Sequence, residues 1–139
     1  MKARKFPIGS EIMREDGVSF RVWAPKRTSV ELIIEPRPGK NIVSLSFDLA
    51  KENDDGYFSG CIKAAQEGSL YRFRLDGEEK LYPDPASRRQ PYGPHGPSQV
   101  VDPDLFKWTD GSWHGIDARG QVLYEMHIGT FTQEGTWQA

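Results

Sequence analysis

Along the first eighty residues, apolar side chains recur at every second position. Val18, Phe20, Val22 and Ala24 alternate with Ser19, Arg21 and Trp23, the period of two that buries one face of a strand. Val30, Leu32 and Ile34 repeat the pattern, as do Leu45, Phe47 and Leu49, and then Tyr71, Phe73 and Leu75. Two weaker runs, Pro7 to Met13 and Tyr57 to Lys63, add further strands. Asp16-Gly17, Asp55-Gly56 and Asp76-Gly77 lie between the runs, and such pairs accept the positive φ of tight hairpin turns. Pro25, Pro36, Pro38 and Gly39 punctuate the longer connections. No window before residue 80 combines helical periodicity with caps. The pattern predicts an all-β chain, an antiparallel β-sandwich.

The pattern then changes. Six of the ten prolines fall between Pro83 and Pro103, which excludes helix and central strand because proline lacks an N–H and fixes φ. Tyr82, Tyr92 and the Val100-Val101 pair make this stretch unlike a flexible Gly/Ser linker. It reads as a proline-rich connector laid over a surface, residues 82–116, following a sandwich of residues 1–81. An aromatic patch follows, Phe106, Trp108 and Trp113. The run from Gln121 to Thr132 alternates again, with Val122, Tyr124, Met126 and Ile128 on one face and Leu123, Glu125, His127, Gly129 and Phe131 on the other. A strand in last place with nothing following to pair with it suggests that residues 117–139 open a second domain.

Composition narrows the classes. The 139 residues carry 18 Lys and Arg against 20 Asp and Glu, a net charge of −2, which argues against a nucleic-acid partner. No apolar stretch is long enough to span a membrane, and Met1 to Pro7 is charged but not followed by the apolar segment of a signal peptide. One cysteine, Cys61, allows no internal disulfide and fits a cytoplasmic location. The three histidines, His95, His114 and His127, lack metal-ligand spacing, so no metal or other cofactor is expected.

Residue chemistry alone yields no catalytic constellation. Glu125 and His127 share a strand face and could pair as acid and base, although structural pairing is the plainer reading. Aromatic rings stack on sugar faces, which makes the four tryptophans candidates, but packing accounts for each as simply. Trp23, opposite the apolar face of its strand, and Trp137 are the weak carbohydrate-binding candidates.

The motifs resemble a known family. Gly17-Val-Ser-Phe-Arg-Val-Trp-Ala-Pro25 is similar to the opening strand of the N-terminal immunoglobulin-like sandwich, of the carbohydrate-binding-module-48 kind, in the α-amylase superfamily. The segment from Tyr82 to Pro103 and that from Tyr124 to Trp137 resemble the connector and the first barrel strand with its loop in malto-oligosyltrehalose trehalohydrolases, of glycoside hydrolase family 13. The resemblance implies that the last segment is the first strand of a truncated (β/α)8 barrel, with Glu125 and His127 on its inward face and the loop through Trp137 near the cleft. It implies a parent glycosidase that releases trehalose from maltooligosyl trehalose by α-1,4 hydrolysis, with α-glucan as its partner. The retaining carboxylate pair of that reaction matches no position here, so this chain alone carries no catalytic residue and is not expected to be an enzyme. An α-glucan-binding module, or the N-terminal domain of a 1,4-α-glucan branching enzyme, is the alternative.

A lone barrel strand would have unpaired backbone edges and add little to the sandwich. Ending the chain near Ile116 should therefore leave the thermal midpoint within about 2 °C, as a change near 0.5 kcal/mol moves a domain of this size only a few degrees. A fall of about ten degrees would place the tail in the sandwich core.

Overall fold

In the computed structural model, residues 4–36, 43–53 and 55–139 are described. The Pro38-Gly39 turn signal and the first three residues lie outside them. Two compact units are resolved by their contacts, through Phe106 and from Lys107 onward.

The first unit consists of two antiparallel sheets. One has the order β1 (Gly9–Ile12), β2 (Val18–Trp23), β6 (Tyr57–Ile62), β5 (Ala50–Lys51). The other runs β4 (Leu45–Asp48), β3 (Val30–Glu35), β7 (Leu70–Leu75), β8 (Leu81–Tyr82), with β9 (Ser98–Gln99) also paired to β7. Taken in chain order, the distribution of strands between sheets is that of an immunoglobulin-type sandwich. The period-two pattern explains the core. Val18, Phe20 and Val22 from β2 meet Val30 and Leu32 from β3, Phe58 from β6, and Tyr71 and Phe73 from β7. The Phe20 and Tyr71 rings touch edge to face across the sandwich, 4.9 Å between centroids.

The turns follow the Asp-Gly pairs. Gly17, Gly56 and Gly77 all have positive φ. At Asp76-Gly77 both residues do, and Glu78 N–H closes the turn onto Leu75 C=O at 2.9 Å. The Asp76 carboxylate then accepts from the backbone N–H groups of Thr28 and Ser29 and from the Thr28 hydroxyl. Those bonds hold its pKa well below the usual carboxylate range.

Three details depart from the sequence pattern. The run through Leu45, Phe47 and Leu49 is not one strand. It breaks at Leu49, which is buried, and the chain passes from the edge of one sheet (β4) to the edge of the other (β5). Ile33, on the polar face of β3, is also buried. It lies between the Glu31–Arg74 and Glu35–Arg72 ion pairs, and long cationic side chains cover apolar surface with their stems. At the start of the proline-rich stretch and within it, β8 and β9 each contribute two residues to one edge of β7, where a missing proline N–H costs no ladder bond.

In the second unit, residues 121–132 do not form the expected strand. Residues 121–127 have no regular structure and α1 (Ile128–Phe131) is a single helical turn. A strand exists only with a ladder partner, and no described strand pairs with this segment.

Candidate functional site

The outer face of the four-stranded sheet carries the polar positions of β2 and β6. Ser19, Arg21 and Trp23 point away from the core and stand in register with Cys61, Ser59 and Tyr57. Trp23 is 55% exposed, and its indole N–H donates to the Asp55 carbonyl at 3.0 Å. Its register partner Tyr57 is covered on one ring face by the Arg21 guanidinium, 3.6 Å from the centroid. Arg21 also grips both carboxylate oxygens of Glu52, at 2.9 and 2.7 Å. That bidentate bond raises the Arg21 pKa and lowers that of Glu52.

The segment from Arg4 to Pro7 lies over the other end of this face. Arg4 donates to the Ser19 hydroxyl at 2.7 Å and to the Gly9 carbonyl at 2.7 Å, and Glu11 accepts the backbone N–H groups of Lys5 and Phe6. Burial lowers the pKa of Arg4, while Glu11 opposes that shift. The Arg88 guanidinium sits 4.1 Å over the Phe6 ring and donates to the Ser10 carbonyl. Arg4, Arg21 and Arg88 thus have their partners within the fold. Trp23 is the one large ring left open on this face among the described residues.

A second polar cluster is buried where the proline-rich stretch meets β7. Asp84, 2% exposed, accepts the Tyr71 hydroxyl at 2.7 Å and the Ala86 N–H at 2.8 Å, while its own N–H donates to the Ser98 hydroxyl at 2.9 Å. Burial pushes up the pKa of Asp84, with the Tyr71 bond opposing, and burial together with the nearby Asp84 charge pushes up that of Tyr71. The cluster is structural in its chemistry. It is satisfied and closed to solvent. Sequence reading missed it, although an aspartate held between Pro83 and Pro85 was the available signal.

The other candidates lie in the second unit. Trp137 is 83% exposed, and Glu125 and His127 are exposed as well. His127 precedes the helical turn, its carbonyl accepting the Thr130 N–H at 3.0 Å. Among the described residues no hydrogen bond joins Glu125 to His127, because the strand that would align them is not formed. No cluster of His, Cys, Asp or Glu able to hold a metal occurs among the described residues, and no described helix is long and apolar enough to cross a membrane.

The family profile of Carbohydrate-binding module 48 (Isoamylase N-terminal domain) matches residues 7–93. The chain belongs to that family. Those residues begin just before β1 and end in the proline-rich stretch, so the matched span holds strands β1 to β8 together with Tyr71, Asp84 and Ala86, while β9 and Ser98 lie beyond it. A malto-oligosyltrehalose trehalohydrolase from Saccharolobus solfataricus is 39% identical over 124 residues, covering 89% of this chain and 20% of its own length. One from Deinococcus radiodurans is 51% identical over 72 residues, 52% of this chain and 12% of its own. A 1,4-alpha-glucan branching enzyme from Chlamydia abortus is 33% identical over 122 residues, 83% of this chain and 16% of its own. Among solved structures, a maltotriose complex of a Klebsiella pneumoniae pullulanase superposes with a TM-score of 0.55 at 26% identity, over 70% of this chain and 11% of that one. The chain spans about a fifth of the length of the curated trehalohydrolase from Saccharolobus that it matches.

Proposed function

We propose that this module 48 chain is the non-catalytic N-terminal domain of a glycoside hydrolase that releases trehalose from maltooligosyl trehalose by cleaving an α-1,4-glucosidic bond. The observation that carries the reading is the extent of the likeness to trehalohydrolases. It runs over 124 residues at 39% identity, beyond the span of the family profile. The motif from Tyr124 to Trp137 is the part that a free-standing sandwich would not need.

In this reading residues 1–81 are the sandwich, 82–116 the connector and 117–139 the start of the barrel. The Asp84 cluster fixes the connector on β7, and the connector delivers the last segment to neighbouring barrel strands, which would supply the ladder that residues 121–132 lack. There Glu125 and His127 would face inward and Trp137 would border the cleft. Retaining hydrolysis needs two positioned carboxylates, one as nucleophile and one as acid, and both are assigned to the remainder of the parent enzyme. The parent's partner is α-glucan and its compartment the cytoplasm.

The isolated 139-residue chain should release no trehalose from maltooligosyl trehalose, measured by chromatography after prolonged incubation. Trehalose release by the pure chain would overturn the non-catalytic assignment. The branching-enzyme match over 122 residues supports the second reading, a 1,4-α-glucan branching enzyme domain.

A further inference from the structure

A groove of about 420 Å³ opens at one end of the sandwich, away from the Trp23 face, lined by Glu67, Leu70, Arg89, Pro91, Tyr92 and Gln99 among others. Tyr92 is 55% exposed there. Its loop is held by two successive turns, Gly93 N–H to Gln90 C=O and Gly96 N–H to Gly93 C=O, and by the Gln90 side-chain amide on the Pro94 carbonyl. The loop folds so tightly that a Cβ at Gly96 would stand 2.9 Å from the Tyr92 carbonyl oxygen. The ring is therefore presented by a constrained backbone and loses little freedom on meeting a ligand.

Of the polar groups beside it, Gln99 is fixed. It belongs to β9, and its backbone N–H donates to the Arg89 carbonyl at 2.9 Å. Its side-chain amide donates to the Gly68 carbonyl at 3.2 Å, so that its amide oxygen is the group turned to a ligand. The Arg89 guanidinium has no hydrogen-bond partner among the described residues, unlike those of Arg4, Arg21 and Arg88. A second groove, about 290 Å³, shares Glu67, Gly68 and Leu70 with the first and adds the apolar side chains of Ile34 and Leu45. The two meet over the turn at residues 67–70, so the surface has the length for more than one ring of a chain.

We propose that this end of the sandwich, with Tyr92 as stacking platform and Arg89 and Gln99 as flanking hydrogen-bonding groups, is an α-glucan subsite. A sugar ring presents an apolar C–H face bordered by hydroxyls, which fits one open aromatic ring beside planar hydrogen-bonding groups. The Glu67 carboxylate, which lines the same groove and accepts the Asp102 backbone N–H, favours a neutral polyhydroxyl ligand over an anion. The choice of glucan rests on the α-glucan partner named above, whereas the location rests on the groove.

The test is a titration of the chain with maltoheptaose followed by amide shifts. Gly68, Tyr92 and Gln99 should move together with one affinity in the millimolar range. Tyr92→Ala should weaken binding about tenfold, in line with the loss of one ring contact, while Tyr92→Trp preserves it. Unchanged core amide shifts in Tyr92→Ala verify its fold. Shifts centred on Trp23 and Tyr57, insensitive to Tyr92→Ala, would overturn the subsite and leave the glucan partner standing. No shift at any maltoheptaose concentration would overturn the subsite, without touching the trehalose-releasing assignment of the parent.

Discussion

Replacing Phe20 with alanine should lower the free energy of unfolding by about 3–5 kcal/mol, the cost of removing a fully buried aromatic ring and leaving a cavity. Phe20 is 0% exposed and projects from the centre of β2 onto Tyr71 of the opposite sheet. Its loss removes apolar burial and an inter-sheet ring contact at once, and neighbours on two hydrogen-bonded sheets cannot close the gap without shifting their ladders. Single domains are stable by only about 5–15 kcal/mol, so the thermal midpoint should fall by at least about 12 °C. Calorimetry or circular dichroism measures this directly. A loss below about 1 kcal/mol would mean that the sheets do not pack through this ring.

Asp84→Ala should cost about 2–3 kcal/mol, because the buried Tyr71 hydroxyl and the Ala86 N–H are both left without acceptors. Tyr71→Phe should cost less, since it removes the donor and leaves the carboxylate its Ala86 bond. The pH dependence separates this from simple loss of packing. Burial raises the pKa of Asp84 in the folded state, so the folded chain takes up the proton more readily than the unfolded chain. The contribution of Asp84 is therefore most favourable below the ordinary carboxylate pKa and declines as pH rises through the raised value. Wild type gains from that protonation and Asp84→Ala cannot. The stability gap between them should widen as the pH falls from 8 towards about 4. Asp76 acts in the opposite sense. Its lowered pKa gives stability present above the ordinary value and lost as pH falls through the folded one, equally in both proteins. A gap that narrowed towards acid would contradict the assignment of a raised pKa to Asp84.

The sandwich was legible because its chemistry is local. Alternation at Val18–Val22, Val30–Ile34 and Tyr71–Leu75 sets which face is buried, and the Asp-Gly pairs set where the chain reverses. The sheet crossing at Leu49 was not legible, since a change of sheet preserves the apolar period on either side. Nor were β8 and β9, two residues each, whose existence depends on the open edge of β7 rather than on their own propensity. Ile33 is buried through ion pairs that form only once β3 and β7 are in register. The run from Gln121 to Thr132 has the alternation of a strand but finds no described partner, and pattern alone does not make a ladder. As for the candidate site, Trp23 could be placed outward by counting from Val22. The Tyr92 groove could not, because it joins a proline-rich loop to a turn more than twenty residues away in sequence.

Trehalose release tests the proposed function most directly. A protein that carries these 139 residues at the full length of the related enzymes, incubated with maltooligosyl trehalose, should yield free trehalose and the shortened maltooligosaccharide. With amylose it should introduce no α-1,6 branches. Formation of branches from amylose, with no trehalose from maltooligosyl trehalose, would contradict the assignment and place the chain in a branching enzyme instead.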